Sequence, residues 1–177
     1  MNRLFPMVAL ALLTIGQPAV AEVLSSGVAG FSISNTAEIA ASPEVVYRTM
    51  TSHIDQWWNG SHSWSGDASN LYLEPELGSC FCERLPAGGQ VEHLRIIYLS
   101  PGKEVRFDGA LGPLQQMAVD GRMIWKIEPA ESGSKVSFTY HVHGYAEGGF
   151  EQLAPAVDAV IGEQLSHLAA RHSTAGG

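Results

Sequence analysis

Val119 to Tyr145 reads VDGRMIWKIEPAESGSKVSFTYHVHGY, and its patterning decides the fold. Val119, Gly121, Met123, Trp125 and Ile127 fall on one face of an extended chain, while Asp120, Arg122, Lys126 and Glu128 fall on the other. Beyond a turn at Glu131-Ser132-Gly133-Ser134, Val136, Phe138, Tyr140 and Val142 alternate against Lys135, Ser137, Thr139, His141 and His143. Period two with one charged face describes a sheet packed on one side and wet on the other.

Downstream, the period changes. Phe150, Leu153, Val157, Ile161, Leu165 and Leu168 recur at three- and four-residue steps, an apolar stripe that predicts a helix from about Phe150 or Ala154 to His172. Pro155 either sits in its first turn or kinks a longer helix. Upstream, strands are expected at 31–40, 71–74, 79–85, 90–99 and 103–109, the last four joined by hairpin-length connections that make the sheet antiparallel. The face of 91–99 stays open, because Ile96-Ile97 breaks the alternation. Ser42-Pro43-Glu44 signals a helix start, with Ser as N-cap and Pro in the first turn. That helix runs to about Thr51 and buries Val46, Met50 and Tyr47; a short turn or helix, Ser52 to Trp58, follows, and residues 59–70 are loop by composition. There is no internal repeat and no domain linker. The economical packing is α+β: one curved antiparallel sheet wrapped around a long C-terminal helix, with two short helices after the first strand.

The chain has 177 residues, 45% of them hydrophobic and 16% charged. That is enough for one domain with a real core, and it fits neither disorder nor a coiled coil. A net charge of −8 gives no electrostatic basis for binding nucleic acid or an anionic membrane surface. Residues 1–21 (MNRLFPMVALALLTIGQPAVA) have the order of a secretory signal: Arg3, an apolar run, then Ala19-Val20-Ala21. The run is shorter than the roughly 20 residues a bilayer span needs. Cleavage after Ala21 would leave 156 residues with 9 bases and 18 acids, no stable membrane anchor, and a periplasmic or secreted address. Residues 22–30 (EVLSSGVAG) look like a flexible lead-in and 173–177 like a disordered tail.

The ordered set of motifs resembles the START-like (SRPBCC) helix-grip superfamily. It is most similar to the branch holding polyketide cyclase/dehydrase-like proteins and homologues of the heat-shock-ATPase activator. The matching pieces are Ala41 to Tyr47, Gln56-Trp57-Trp58, Gly78 to Arg84 (GSCFCER), Trp125 to Pro129 and the final helix, spanning about residues 31–172. The resemblance implies a cavity between sheet and C-terminal helix that holds a small apolar or amphipathic molecule. The branch is commonly cytosolic, so the export signal argues against an ATPase-activating role. Under this fold Trp57, Trp58, Phe81, Phe107, Leu114, Met123, Trp125, Phe138, Tyr140, Val157 and Ile161 would line the cavity. Leu111 to Leu114 would line or gate its entrance, and Tyr140, Tyr98 and Arg95 are the few polar candidates inside.

Catalytic signals are weak. His53 and His62 flank the tryptophans and, with Tyr140, are the acid–base candidates, but no paired carboxylate supports them. His141 and His143 belong to the wet face. No triad order, phosphate loop or two-histidine metal motif stands out, and no cofactor is expected. Cys80 and Cys82 leave three readings open. Two rises of a regular strand, about 6.6 Å, are too long for a disulfide without a bulge. An exported chain nonetheless favours oxidation, and a four-residue loop would set Cys82 opposite His93 as a Cys-Cys-His metal set. Free thiols are the third. The leading function is therefore ligand binding; a cyclase/dehydratase-type enzyme in the same cavity is the alternative. A protein-interaction module using Trp57-Trp58 or the exposed sheet is a further one. Oligomeric state is open.

Overall fold

The computed structural model describes residues 20–173. Eight antiparallel strands form one sheet: β1 (Val20–Gly27), β2 (Gly30–Ile39), β3 (Leu71–Leu73), β4 (Cys80–Arg84), β5 (Gln90–Ser100), β6 (Glu104–Asp108), β7 (Ala118–Ala130) and β8 (Gly133–Tyr145). Their spatial order is β1-β2-β8-β7-β6-β5-β4-β3. Helix α1 (Pro43–Ser52) and short 3-10 turns at Ile54–Gln56, Gly60–His62 and Ala68–Asn70 join β2 to β3, and a further 3-10 turn spans Gly112–Gln116. Helix α2 (Leu153–Ser173) closes the chain and packs over the β1–β2 end of the sheet. The α+β helix-grip architecture expected from the sequence is the one observed.

The β7–β8 hairpin pairs Met123 with Tyr140 and Trp125 with Phe138, all at most 1% exposed. Lys126, Lys135, His141 and His143 stay exposed on the opposite face. Each large side chain so buried contributes about 2 kcal/mol of hydrophobic stabilisation, which is why the period-two pattern fixes the register. In α1, Val46 and Met50 are buried and Tyr47 is half-buried. Ser42 precedes the helix in extended backbone, but its hydroxyl makes no capping bond to the backbone; Pro43 supplies the start. Pro155 lies in the first turn of α2, so it costs no kink.

One expectation changes. Residues 22–30 are mostly β1 and the start of β2 rather than a flexible lead-in. The β1 strand carries no apolar pattern because main-chain pairing to β2, from Val20–Thr36 to Gly27–Gly30, holds it at the sheet edge beside α2. The expected signal segment lies outside the described residues except for Val20 and Ala21, which begin β1, and residues 174–177 of the expected tail lie outside them too.

β5 explains why its alternation could not be read, since it is bulged twice. Phe81 pairs with Leu94 and Cys82 with Glu92, leaving His93 without a partner. His93 and Leu94 are consequently both buried. Ile96 pairs with Phe107 and Tyr98 with Arg106, so Ile97 is the second extra residue and both Ile97 and Tyr98 are 42% exposed.

Candidate functional site

The space over the middle of the sheet is filled. Trp125 stacks on Phe138 with centroids 5.0 Å apart and meets Phe107 edge-on at 4.7 Å. Trp57 closes on both Trp125 and Phe138, and its Nε1–H donates to the Thr49 carbonyl at 3.2 Å. Aromatic rings at these spacings leave no room for a guest. Trp57, Phe81, Phe107, Met123, Trp125, Phe138 and Tyr140, expected to line a cavity, belong to the core cluster and are not in the wall of the cavity found beside it.

A cavity of about 410 Å³ lies to one side of that cluster, within the roughly 300–1,000 Å³ typical of small-molecule pockets. One wall is the N-terminal half of α2, with Leu153, Val157 and Ile161 turned into it; Leu153 and Val157 are only half-buried for that reason. A second wall is Leu111 to Leu114, and a third is Trp58 with the segment Ser61 to Trp64. His93 is the sheet's contribution. Four expected liners, Trp58, Leu114, Val157 and Ile161, are therefore brought together here.

Each wall is held by specific bonds. The Tyr140 hydroxyl donates to the Gly109 carbonyl at 3.0 Å and accepts from the Leu111 N–H at 3.1 Å, which pins the start of the 111–114 wall. Burial pushes this phenol far above its ordinary value, and both its hydrogen-bonding directions are spent on backbone. Tyr140 is thus a positioning residue rather than an acid or base. Its ring lies over Gly121, where a Cβ would come within 2.7 Å of the ring. The third wall is strapped to α2: Asn59 N–H donates to Gln164 Oε1 at 2.7 Å, and the Asn59 amide and His62 Nε2 both meet the Glu163 carboxylate. The hydrogen bonds from Asn59 and His62 hold the Glu163 carboxyl below the usual carboxylate range. Trp58 Nε1–H donates to the His62 carbonyl at 3.2 Å. His62 stands at the cavity, whereas His53 is exposed at the end of α1 beside Gln56 and does not reach it.

The polar centre of the site is a pair that sequence reading missed. Glu83, 0% exposed on β4, meets His93, 4% exposed, with Nε2···Oε2 at 3.0 Å. The same carboxylate accepts the backbone N–H of Trp64 at 3.0 Å and that of Ser65. Burial by itself would raise the Glu83 carboxyl, but the bonds from Ser65, Trp64 and His93 outweigh it and hold it below its ordinary value. Burial also lowers His93, and the attraction of Glu83 does not compensate. The pair is therefore carboxylate and neutral imidazole. A signal existed: with Phe81 facing inward, period two sends Glu83 inward as well.

Cys80 and Cys82 are joined in a disulfide, with Cα atoms 5.3 Å apart. This is inside the usual disulfide range and shorter than the roughly 6.6 Å of a regular strand, and the register with β5 shifts between Phe81 and Cys82, within the bridged segment. The Cys-Cys-His metal set does not form: Cys82 pairs with Glu92, and His93 turns to Glu83. Arg95 and Tyr98, expected inside, are on the exposed face, Arg95 paired with Glu92 and Tyr98 under the Arg106 guanidinium. Among the described residues no helix is long and apolar enough to cross a membrane.

The full chain finds no match among curated proteins. Solved structures do match. A protein from Mesorhizobium loti, MLL2253, is 15% identical with a TM-score of 0.58, covering 78% of this chain and 94% of that one. A conserved protein of unknown function from Enterococcus faecalis, EF2215, is 12% identical with a TM-score of 0.60 and coverages of 90% and 79%. The Aha1 dimer from Colwellia psychrerythraea is 23% identical with a TM-score of 0.54 and coverages of 82% and 98%. These likenesses show the shared fold. The family model described as polyketide cyclase / dehydrase and lipid transport matches residues 30–173, nearly all of the described chain, and the protein belongs to that family.

Proposed function

We propose that the protein is an exported binder of a small apolar or amphipathic molecule, held in the cavity between α2, the 58–64 segment and the 111–114 segment. The observation that carries this reading is the cavity itself: about 410 Å³, lined mainly by aliphatic and aromatic side chains, beside a mid-sheet layer filled by interlocked aromatic rings. Walls pinned by Tyr140, Gln164 and Glu163 give a pre-formed pocket, which lowers the ordering cost of binding. The family's description, which includes lipid transport, supports the same chemistry. Export is supported by the order of residues 1–21 and by the Cys80–Cys82 disulfide, since such bonds persist in oxidising compartments.

Filling the pocket tests the reading. Ala156 lines the cavity from the exposed side of α2, so Ala156→Trp adds a ring to the void without displacing a core residue. Titration with β-naphthol should show binding to the native protein that weakens at least about tenfold in the variant, while the melting temperature is unchanged or raised. Equal binding by both proteins would place the guest elsewhere and sink the reading. Export has its own test. Intact mass of the protein recovered from its native host should start at Glu22, and an uncleaved chain in the cytosol would refute it.

A further inference from the structure

One feature of the pocket is out of keeping with a plain apolar hole, namely the buried imidazole in its wall. Glu83 is a carboxylate and can only accept, so the His93 Nε2 facing it at 3.0 Å carries the ring proton. The neutral ring then presents its lone pair at Nδ1. No hydrogen bond is made at that atom within the described residues, it is not sealed off among the buried unpartnered atoms, and His93, 4% exposed as a residue, lines the cavity. Glu83 is itself locked by two backbone N–H groups, so the imidazole is held in a fixed tautomer and orientation. Two neighbouring groups of the wall are already engaged: the Ser63 hydroxyl donates to the Gly60 carbonyl, and His62 Nε2 is bound to Glu163.

Building on the ligand-binding reading above, we infer that His93 is the recognition group of the pocket, accepting a hydrogen bond at Nδ1 from a neutral hydroxyl on an otherwise apolar guest. A phenol or an aliphatic alcohol meets this description. A carboxylate does not, because the Glu83–His93 pair carries one net negative charge in a poorly solvated wall and repels an anion placed against it. The charged and titratable groups facing His93 are Glu83 from β4 and, across the cavity, His62 with Glu163 behind it on α2. None of them offers a fixed cation to neutralise an acidic headgroup.

The experiment is a ligand-observed NMR titration of β-naphthol, its methyl ether and β-naphthoate against the native protein and His93→Phe. Native protein should bind the naphthol about fivefold tighter than the ether, the order of one net hydrogen bond, and bind naphthoate most weakly. His93→Phe keeps a ring in the wall and should erase the naphthol preference while still binding the ether. A native protein that binds naphthol and ether alike overturns the inference and leaves the cavity reading standing. So does a His93→Phe variant that keeps the preference. If none of the three binds the native protein, the cavity reading itself fails and takes this inference with it. Should His93→Phe not fold, the nitrogen resonances of His93 in the native protein decide. Nδ1 must shift with naphthol and not with the ether, and no shift refutes the assignment.

Discussion

Glu83→Ala should lower the stability of the domain by about 3–5 kcal/mol, the cost found when one partner of a buried, hydrogen-bonded charge pair is removed. Three donors lose their acceptor at once: the N–H groups of Trp64 and Ser65 and the Nε2–H of His93. Each orphaned donor costs about 1–3 kcal/mol where water cannot reach it, and Trp64 and Ser65 have enough exposure to recover part of theirs. Glu83→Gln keeps an acceptor oxygen but sets an amide N–H₂ against a donor, so it should fall between the native protein and Glu83→Ala. Denaturant unfolding measures both, and a loss below about 1 kcal/mol in Glu83→Ala would show that the carboxylate does not organise this wall.

The same pair fixes the sign of the acid response. His93 has its value lowered by burial from an ordinary 6.5, so below that pH the unfolded chain takes a proton that the folded chain refuses. Glu83 is likewise held below its ordinary 4.5 in the fold. Both contributions are present at neutral pH. The His93 part is lost first as pH falls below 6.5, and the Glu83 part follows below 4.5. Binding of a hydroxyl guest should persist through the start of that step and fade only at lower pH, where the folded His93 itself takes a proton, because an imidazolium has no lone pair to accept with. In Glu83→Ala the lower step should vanish from a plot of unfolding free energy against pH.

Legibility in the sequence followed the regularity of the backbone. The β7–β8 hairpin was readable residue by residue because thirteen-residue strands pair without a bulge, so side-chain period and sheet face never fall out of step. β5 was not readable, since each extra residue reverses the assignment of everything beyond it. One slip at His93 replaced an imagined Cys82–His93 contact with the Glu83–His93 pair. The cavity was foreseen but displaced. Sequence shows which aromatics face inward; it does not show whether their volumes sum to a filled layer, and here Trp57, Phe107, Trp125 and Phe138 do fill it. The buried polar residues of α2, Asp158 and Gln164, were hidden within an apolar stripe. Asp158 is buried because it accepts from the Asn35 amide of β2 at 2.8 Å, a contact between residues 123 positions apart.

Trp125→Ala separates a filled core from a ligand pocket and should destabilise the domain by about 3–5 kcal/mol, the range for emptying a buried aromatic site. Trp125 is 1% exposed and is gripped on three sides, by Phe138 stacked at 5.0 Å, Phe107 at 4.7 Å and Trp57 at 5.7 Å. Rings that interlock at these angles cannot slide together to close the hole, so both the transfer term and the cavity term apply. For a domain of this size the melting temperature should drop on the order of 10 °C. Trp125 and its three ring neighbours are not part of the cavity wall, so the folded variant should bind β-naphthol within about threefold of the native protein. A small stability loss accompanied by a large binding loss would mean that the guest lies over the middle of the sheet among the aromatics, with the void beside α2 merely a surface cleft.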